Sequence, residues 1–253
     1  MTPPDRAHAD PLEALLRAGD PLPDPGQLAS EAATAQSRTR AALDRAGKGA
    51  GPGGALAAGT PDAPVAVHTV YAAPWGPVHL AAGEHGLAAV SLRQPESAFV
   101  ADVAKRLCGR VAVASDPAVP PAWRATIDRT VAELDEYFAG RRTTFDIPVD
   151  LAGLSDWDRA VLGGTARLRY GEVTSYGRLA RMIGRPGAAR AVGGALGRNP
   201  VPIVVPCHRI LAGDGTLGGY GGGWTGARED MLAIKSSLLA REGVRVPAAT
   251  FVG

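Results

Sequence analysis

A segment with almost no large apolar side chains divides this chain of 253 residues. From Gly47 to Pro64 the sequence is mostly Gly, Ala and Pro, a composition typical of a flexible linker. Two short helices are predicted ahead of it, over 12–17 and 30–46, separated by a proline-rich break. We therefore predict three parts: a flexible leader and linker over 1–64, and folded domains over 65–150 and 151–253.

The first predicted domain combines strands and helices. Turns of hairpin length separate three candidate strands, over 67–71, 76–82 and 86–92. The pattern then predicts two helices, over 97–108 and 122–138, and a final edge strand over 144–149. These elements indicate a small α+β unit.

The second predicted domain is mainly helical. Ser155 can cap its first helix, although Gly163 and Gly164 weaken the middle. A Gly/Pro turn joins two further helices, over 175–183 and 188–196, which is the outline of a helix-turn-helix. The second of these helices is poor in bulky side chains. Such a helix is more often a tight packing face than a DNA reader.

Composition excludes several classes of protein. No segment approaches the roughly 20 apolar residues that cross a bilayer, and the N-terminus lacks the layout of a secretory signal. The two cysteines are far apart, which favours a reducing, cytoplasmic compartment over a disulfide framework. No Cys/His cluster has the spacing of metal ligands. We therefore expect no metal, no other cofactor and no membrane partner.

The net charge of +2 conceals an asymmetry between the two halves. Residues 1–150 carry 14 basic and 18 acidic side chains, whereas residues 151–253 carry 13 basic and 7 acidic ones. A basic half favours a polyanionic partner such as nucleic acid. A solvated basic face would have the same composition, so charge alone supports DNA binding without establishing it.

A candidate nucleophile follows the apolar segment Val201–Val205. This β-branched, proline-bounded run predicts a short buried strand, which Pro206 ends. Cys207 would then lie where a strand meets a loop, beside His208 and Arg209. A thiol near a cation or a histidine base can be held as thiolate, the form that attacks carbon. The competing interpretation is a buried structural cysteine, which is the commoner role for a lone thiol.

Seven short motifs in a fixed order give the chain a family resemblance. In chain order they are Glu136–Gly140, Gly171–Tyr176, Ala189–Gly193, Asn199–Pro200, Pro206–Arg209, Gly219–Gly222 and Leu238–Gly243. Through them, residues 65–243 resemble the O6-alkylguanine-DNA alkyltransferases, also called methylated-DNA–protein-cysteine methyltransferases. The resemblance implies an N-terminal ribonuclease-H-like α/β domain. A mainly helical, winged-helix-like domain would follow and carry both DNA binding and chemistry.

The resemblance also implies an activity. A monomeric protein, cytoplasmic and associated with the nucleoid when bound, would act on double-stranded DNA with O6-alkylguanine lesions. Its helix-turn-helix would enter the minor groove and flip the damaged base out of the stack. A methyl or alkyl group would then pass irreversibly to Cys207, in a single turnover. The other cysteine, Cys108, falls on a predicted helix and is interpreted as structural.

Individual roles follow from the same resemblance. Cys207 accepts the alkyl group, His208 deprotonates the thiol through a water molecule, and Glu242 orients the histidine. Tyr176 donates a proton to the leaving guanine, and Asn199 braces the active-site turn. Arg190 fills the space that the flipped base leaves. The remaining implied DNA contacts are Ala189, Ala191, Gly193 and Arg209, and the implied base pocket is Tyr220, Gly221 and Gly222.

Two departures from the family pattern stand out. Trp157-Asp158 replaces the usual Phe-Gln pair, and Asp in place of Gln predicts altered domain packing. The stretch between Gly223 and Lys235 is a few residues longer than usual and lies beside the predicted pocket.

Three other functions are compatible with parts of the sequence. A non-catalytic sensor of alkyl lesions would lack the reactive cysteine, which is present here. A cysteine hydrolase would need an oxyanion loop, and the sequence offers no candidate. A transcriptional regulator that uses the helix-turn-helix could coexist with repair.

Overall fold

The computed structural model describes residues 63–221 and 228–246. The helices predicted over 12–17 and 30–46 lie outside these ranges. Within them, a unit built on a four-stranded sheet precedes a mainly helical unit, as the sequence predicts. Across the described ranges we find no helix long and apolar enough to span a membrane. They also contain no group of three or more His, Cys, Asp or Glu side chains placed to hold a metal ion.

The predicted three-stranded meander is present. Strands β1 (Pro64–Ala73), β2 (Gly76–Gly83) and β3 (Gly86–Ser91) pair antiparallel in sequence. A fourth strand, β4 (Arg110–Val113), pairs in parallel with β1, which gives the order β3-β2-β1-β4. The sequence does not predict β4 because it has four residues, of which only Ala112 is buried. So short an edge strand carries almost no alternating pattern.

Two helices cover the sheet where they are predicted. Helix α1 (Glu96–Leu107) packs its buried residues against small alanines of the sheet, and α2 (Pro121–Phe138) contributes to a core shared by both units. Cys108 is exposed and caps α1 in a left-handed conformation, with φ of 56°. Its thiol is therefore outside the core, and the residue stands at the end of the predicted helix as its cap.

The segment predicted as an edge strand over 144–149 is not a strand. It runs extended beside β3, and its one β-bridge joins Leu87 to Val149. The Leu87 N–H donates to the Pro148 carbonyl, and the Asp150 N–H donates to the Leu87 carbonyl. Pro148 has no N–H of its own, so the ladder cannot continue through it.

The second unit holds four helices and two short strands within the described residues. They are α3 (Asp156–Thr165), α4 (Tyr176–Met182), α5 (Ala189–Gly197) and α6 (Arg228–Arg241), with β5 (Thr174–Ser175) parallel to β6 (Ile210–Leu211). Ser155 caps α3 as predicted, by accepting a hydrogen bond from the Asp158 N–H. Gly164 allows close packing of α3 on α4, because a Cβ there would lie 2.7 Å from Ile183 Cγ2. The two helices of the predicted helix-turn-helix are α4 and α5.

Candidate active site

A tight turn, rather than the predicted strand, leads into the candidate nucleophile. The run 201–205 is buried as expected, but the Val205 N–H donates to the Val201 carbonyl and Ile203 has φ of 75°. Asn199 holds this turn closed: its Nδ2 donates to the Val205 carbonyl at 2.9 Å, and its Oδ1 accepts from the Val201 N–H at 3.1 Å. A side chain that bonds nearby backbone groups competes with a sheet ladder.

Cys207 begins a single 3₁₀ turn directly after this segment, over Cys207–Arg209. Its side chain is 8% exposed, and the Asn199 amide donates to Sγ at 3.2 Å. Burial raises the pKa of the Cys207 thiol, against the opposing effects of the Asn199 hydrogen bond and the Lys235 charge. The resting group is therefore a thiol, and it needs a base before it can attack carbon.

His208 is fully buried and oriented by a carboxylate. Its Nε2 lies 2.9 Å from Glu242 Oε1, and its Nδ1 has no hydrogen-bond partner among the described residues. Burial lowers the pKa of His208, although the Glu242 carboxylate opposes this shift. A carboxylate can only accept, so Nε2 carries the proton and Nδ1 presents its lone pair. That tautomer leaves a free base within the site.

The Glu242 carboxylate accepts hydrogen bonds from several residues of the site. Burial opposes its ionisation, but His208 and Arg209 together hold the pKa of the Glu242 carboxyl well below its usual range. Its two oxygens take hydrogen bonds from four residues: Tyr137 Oη at 2.9 Å, His208 Nε2 at 2.9 Å, the Gly171 N–H at 3.2 Å, and Arg209 Nε and Nη2 at 2.7 and 2.8 Å. The carboxylate is thus ionised and fixed from several directions.

Arg209 does not reach a DNA-facing surface, which corrects the contact predicted for it. Only 6% of the residue is exposed, and its guanidinium is committed to Glu242 and to the Leu168 carbonyl at 2.7 Å. A buried guanidinium needs a counter-charge, and Glu242 supplies it. The sequence concealed this role because an arginine in a basic half usually lies on the surface.

Tyr176 lies at the first position of α4, next to the turn that carries Gly219. Its hydroxyl lies 3.3 Å from the Gly219 carbonyl and accepts from the Gly219 N–H at 3.4 Å. Burial raises the pKa of the Tyr176 phenol, so the hydroxyl is protonated and can act as a donor. Gly193 on α5 faces its ring, where a Cβ would lie 3.7 Å from Tyr176 Cε1. The predicted proton donor therefore packs against α5, the second helix of the helix-turn-helix.

The predicted base pocket is partly described. The Tyr220 hydroxyl is buried beside the Cys207 thiol, and burial together with Cys207 raises the pKa of Tyr220 well above its usual value. Gly221 has φ of 77°, and a Cβ there would meet Met231 Cε at 2.4 Å. Gly222 lies outside the described residues. The described part of the pocket therefore brings a buried hydroxyl close to the thiol.

Lys235 is a site residue that the sequence-based assignment missed. It is fully buried on α6, and its ammonium donates to three carbonyls: Ile210 at 2.5 Å, Leu217 at 2.6 Å and Gly219 at 3.1 Å. Burial lowers the pKa of Lys235 to about 8. It joins α6 to the loop that precedes Tyr220. The available signal was its identity as the one lysine in an arginine-rich half.

Lys235→Met is expected to lower the free energy of unfolding by about 2 kcal/mol, because one buried and two partly buried carbonyls lose their donor. Urea denaturation measures this loss. Lys105→Met is the matched control, since Lys105 is exposed on α1, and it should change stability by less than about 0.5 kcal/mol. Equal stability of Lys235→Met and the unmodified protein would show that Lys235 does not hold this loop.

The outer face of α5 carries the residues predicted to meet DNA. Arg190 and Ala191 are exposed, whereas Ala189 and Gly193 are half-buried. Arg190 has no hydrogen bond or ion pair to any residue in the described ranges. The inner face of α5 is buried in the core through Val192, Ala195 and Leu196. The helix thus presents small side chains and one long cation outward.

The Trp157-Asp158 departure is accommodated within the second unit. Trp157 Nε1 donates to the Ala191 carbonyl at 3.3 Å, which ties α3 to α5. Asp158 accepts from Arg198 twice, at 2.6 Å from Nη2 and 3.1 Å from Nε. The aspartate therefore pairs with the end of α5 rather than with the N-terminal unit.

Two family models match this chain, one for each unit. The model described as "6-O-methylguanine DNA methyltransferase, ribonuclease-like domain" matches residues 66–151. The model described as "6-O-methylguanine DNA methyltransferase, DNA binding domain" matches residues 156–244. Together they cover both the sheet unit and the helical unit, including Cys207, His208 and Glu242.

Comparison with individual relatives gives the same family. The methylated-DNA–protein-cysteine methyltransferase of Mycolicibacterium paratuberculosis is 50% identical over 119 residues, which is 47% of this chain and 67% of the relative. That of Methanosarcina acetivorans is 32% identical over 179 residues, covering 70% and 97%. The crystal structure of Mycobacterium tuberculosis OGT in complex with DNA has a TM-score of 0.55 and 36% identity, covering 72% and 96%. Matches to both domain models, together with relatives covered over most of their length, show that the chain belongs to the 6-O-methylguanine DNA methyltransferase family.

Proposed function

We propose that this chain repairs DNA by direct reversal, moving a methyl or larger alkyl group from the O6 oxygen of guanine to Cys207. The observation that carries the proposal is the arrangement around His208: an ionised Glu242 fixes Nε2–H, and Nδ1 is left as a free base beside the thiol turn. The relatives' names supply the substrate class, and this arrangement supplies the chemistry.

The transfer is a single displacement at carbon. His208 Nδ1 takes the Cys207 proton through a water molecule, and the sulfur attacks the alkyl carbon as the carbon–O6 bond breaks. The guanine leaves with the electron pair of that bond and takes a proton from Tyr176, which His208 and solvent then restore. Overall, the alkyl group replaces the thiol proton and guanine regains its own proton.

The product has no route back to a thiol. A thioether is a poor leaving group, and the second cysteine, Cys108, is exposed in the N-terminal unit at the end of α1. Each protein molecule should therefore act once, without a cofactor or a metal. The alternative of a non-catalytic lesion sensor gains no support, because the thiol, the histidine and the carboxylate are all in place.

DNA binding is assigned to the outer face of α5. Its small side chains suit the narrow minor groove, and Arg190 is the side chain long enough to occupy the space of a flipped base. The DNA would be double-stranded and carry O6-alkylguanine, and the protein would bind it as a monomer. We propose that the protein works in the cytoplasm and is associated with the nucleoid when bound to DNA.

Arg190→Ala is expected to slow repair of a duplex lesion at least tenfold while leaving transfer from free O6-benzylguanine within twofold, because only the duplex needs base flipping. Single-turnover rates on the two substrates measure the difference. Arg141→Ala removes a comparably exposed arginine from the N-terminal unit and should leave both rates unchanged. Equal losses on the two substrates would remove Arg190 from base flipping.

A label-transfer assay tests the function itself. A duplex whose single O6-methylguanine carries a labelled methyl group should pass the label to the protein, up to one group per protein molecule. An undamaged duplex with labelled methyl groups elsewhere should pass none. Label that stays on the DNA, or turnover beyond one group per molecule, would contradict the proposal.

A further inference from the structure

The N-terminal unit reaches into the candidate active site through one side chain. Tyr137, in the last turn of α2, is 1% exposed, and its hydroxyl donates to Glu242 Oε1 at 2.9 Å. The same oxygen accepts from His208 Nε2 at 2.9 Å and from Arg209 Nη2 at 2.8 Å. The phenol and the catalytic imidazole thus share one carboxylate oxygen.

The ring of Tyr137 is held on several sides. Its centroid lies 5.3 Å from that of Phe138, 5.4 Å from Phe145 and 6.2 Å from Tyr170. Aromatic neighbours at such distances stabilise one ring orientation. The hydroxyl therefore has a defined position from which to hold the carboxylate.

The ends of α2 and α6 also contact each other beside Glu242. The Tyr170 hydroxyl donates to the Arg241 carbonyl at 2.7 Å, and the Arg241 guanidinium donates to the Phe138 carbonyl. Arg241 also lies over the Phe138 ring, 5.3 Å from its centroid. Arg241 thus joins the two units beside the Tyr137–Glu242 contact, and Tyr170 fixes the Arg241 backbone within the second unit.

We propose that Tyr137 is a positioning residue for alkyl transfer, which fixes the Glu242 carboxylate and, through it, the orientation of His208. The inference rests on the proposed function, because it concerns the base that deprotonates Cys207. Without the hydroxyl, Oε1 keeps only the donors that come from the 207–209 turn itself. Outside that turn the carboxylate then keeps only the longer bond from the Gly171 N–H to Oε2, at 3.2 Å, among the described residues. The carboxylate, and the imidazole bonded to it, are therefore held less firmly.

Tyr137→Phe tests the proposal because it removes the hydroxyl and keeps the ring. The saturating first-order rate constant of transfer should fall about tenfold, the scale of a hydrogen bond to a charged group. The concentration dependence that reports duplex affinity should not change. Free O6-benzylguanine should show the same loss, since the defect lies in the chemistry rather than in DNA binding. Thermal unfolding identifies a temperature at which each variant is folded.

Tyr71→Phe is the matched control. It also removes one phenol hydroxyl from the N-terminal unit, breaking a 2.9 Å hydrogen bond to Asp135 that does not touch the site. Its transfer rate should match that of the unmodified protein. If Tyr71→Phe slows transfer as much as Tyr137→Phe does, general loosening of this unit explains the loss and the proposal fails.

A double-mutant cycle decides whether Tyr137 acts through Glu242. In a Glu242→Gln background, adding Tyr137→Phe should change the rate constant by less than about twofold, because the group it positions is already altered. A full tenfold loss in both backgrounds, a loss of duplex affinity instead of rate, or an unchanged rate in Tyr137→Phe would each overturn the inference. If the unmodified protein transfers no alkyl group at all, the proposed function fails instead.

Discussion

Cys207→Ala is expected to lower the rate of alkyl transfer by more than about 10³-fold while the protein stays folded. The substitution removes the only buried thiol in the described part of the chain, and with it the group that accepts the alkyl carbon. The lost sulfur contacts cost about 1 kcal/mol of stability, because the side chain is small and Asn199 keeps its bond to the Val205 carbonyl. Single-turnover transfer and urea denaturation measure the two effects.

Cys108→Ala is the control for this experiment. Cys108 is exposed at the end of α1, so its removal should change neither transfer nor stability by a measurable amount. Lesion-duplex affinity of Cys207→Ala should also stay within about threefold of that of the unmodified protein, since α5 is untouched. Methyl transfer by Cys207→Ala at a normal rate would remove Cys207 from the mechanism.

Glu242→Gln is expected to have the second-largest effect, lowering the free energy of unfolding by about 3 kcal/mol and the transfer rate about 100-fold. An amide has one accepting oxygen, so it cannot serve all the donors that converge on the carboxylate. It also leaves the buried Arg209 guanidinium without a counter-charge. Glu84→Gln makes the same change in the exposed β2–β3 turn and should alter stability by less than about 0.5 kcal/mol.

The contribution of the Glu242 carboxylate to the free energy of unfolding depends on pH in a predictable direction. The pKa of the carboxyl is lowered in the folded protein from 4.5, so its stabilisation is fully present above pH 4.5 and is lost as the pH falls further. The stability difference between the unmodified protein and Glu242→Gln should therefore shrink on acidification below pH 4.5. A difference that is absent at pH 7, or that grows in acid, would contradict this account of the site.

Local signals explain the elements that the sequence predicts correctly. Ser155 is the expected cap of α3, and the Gly/Pro turn between α4 and α5 separates the two short helices where it should. Such caps and turns act over a few residues, so they are visible in the sequence. The boundaries of the leader and of the two domains stay a prediction.

The errors arise where a distant or competing partner decides the structure. Val201–Val205 has the composition of a strand, but the Asn199 side chain supplies the bonds that a neighbouring strand would have made. An arginine such as Arg209 is expected on the surface. Its ion pair with Glu242, 33 residues later in the chain, stabilises it in the interior instead. The same limitation hid Lys235 and Tyr137, whose roles depend on contacts between segments far apart in the chain.

Mass spectrometry of the protein after incubation with a duplex carrying one O6-methylguanine tests the central claim most directly. The account predicts that the intact mass rises by one methyl group and no further, and that the peptide containing Cys207 carries it. An unmodified protein that still binds the lesion would contradict alkyl transfer and favour the non-catalytic sensor, and a methyl group on any other residue would contradict the assignment of Cys207.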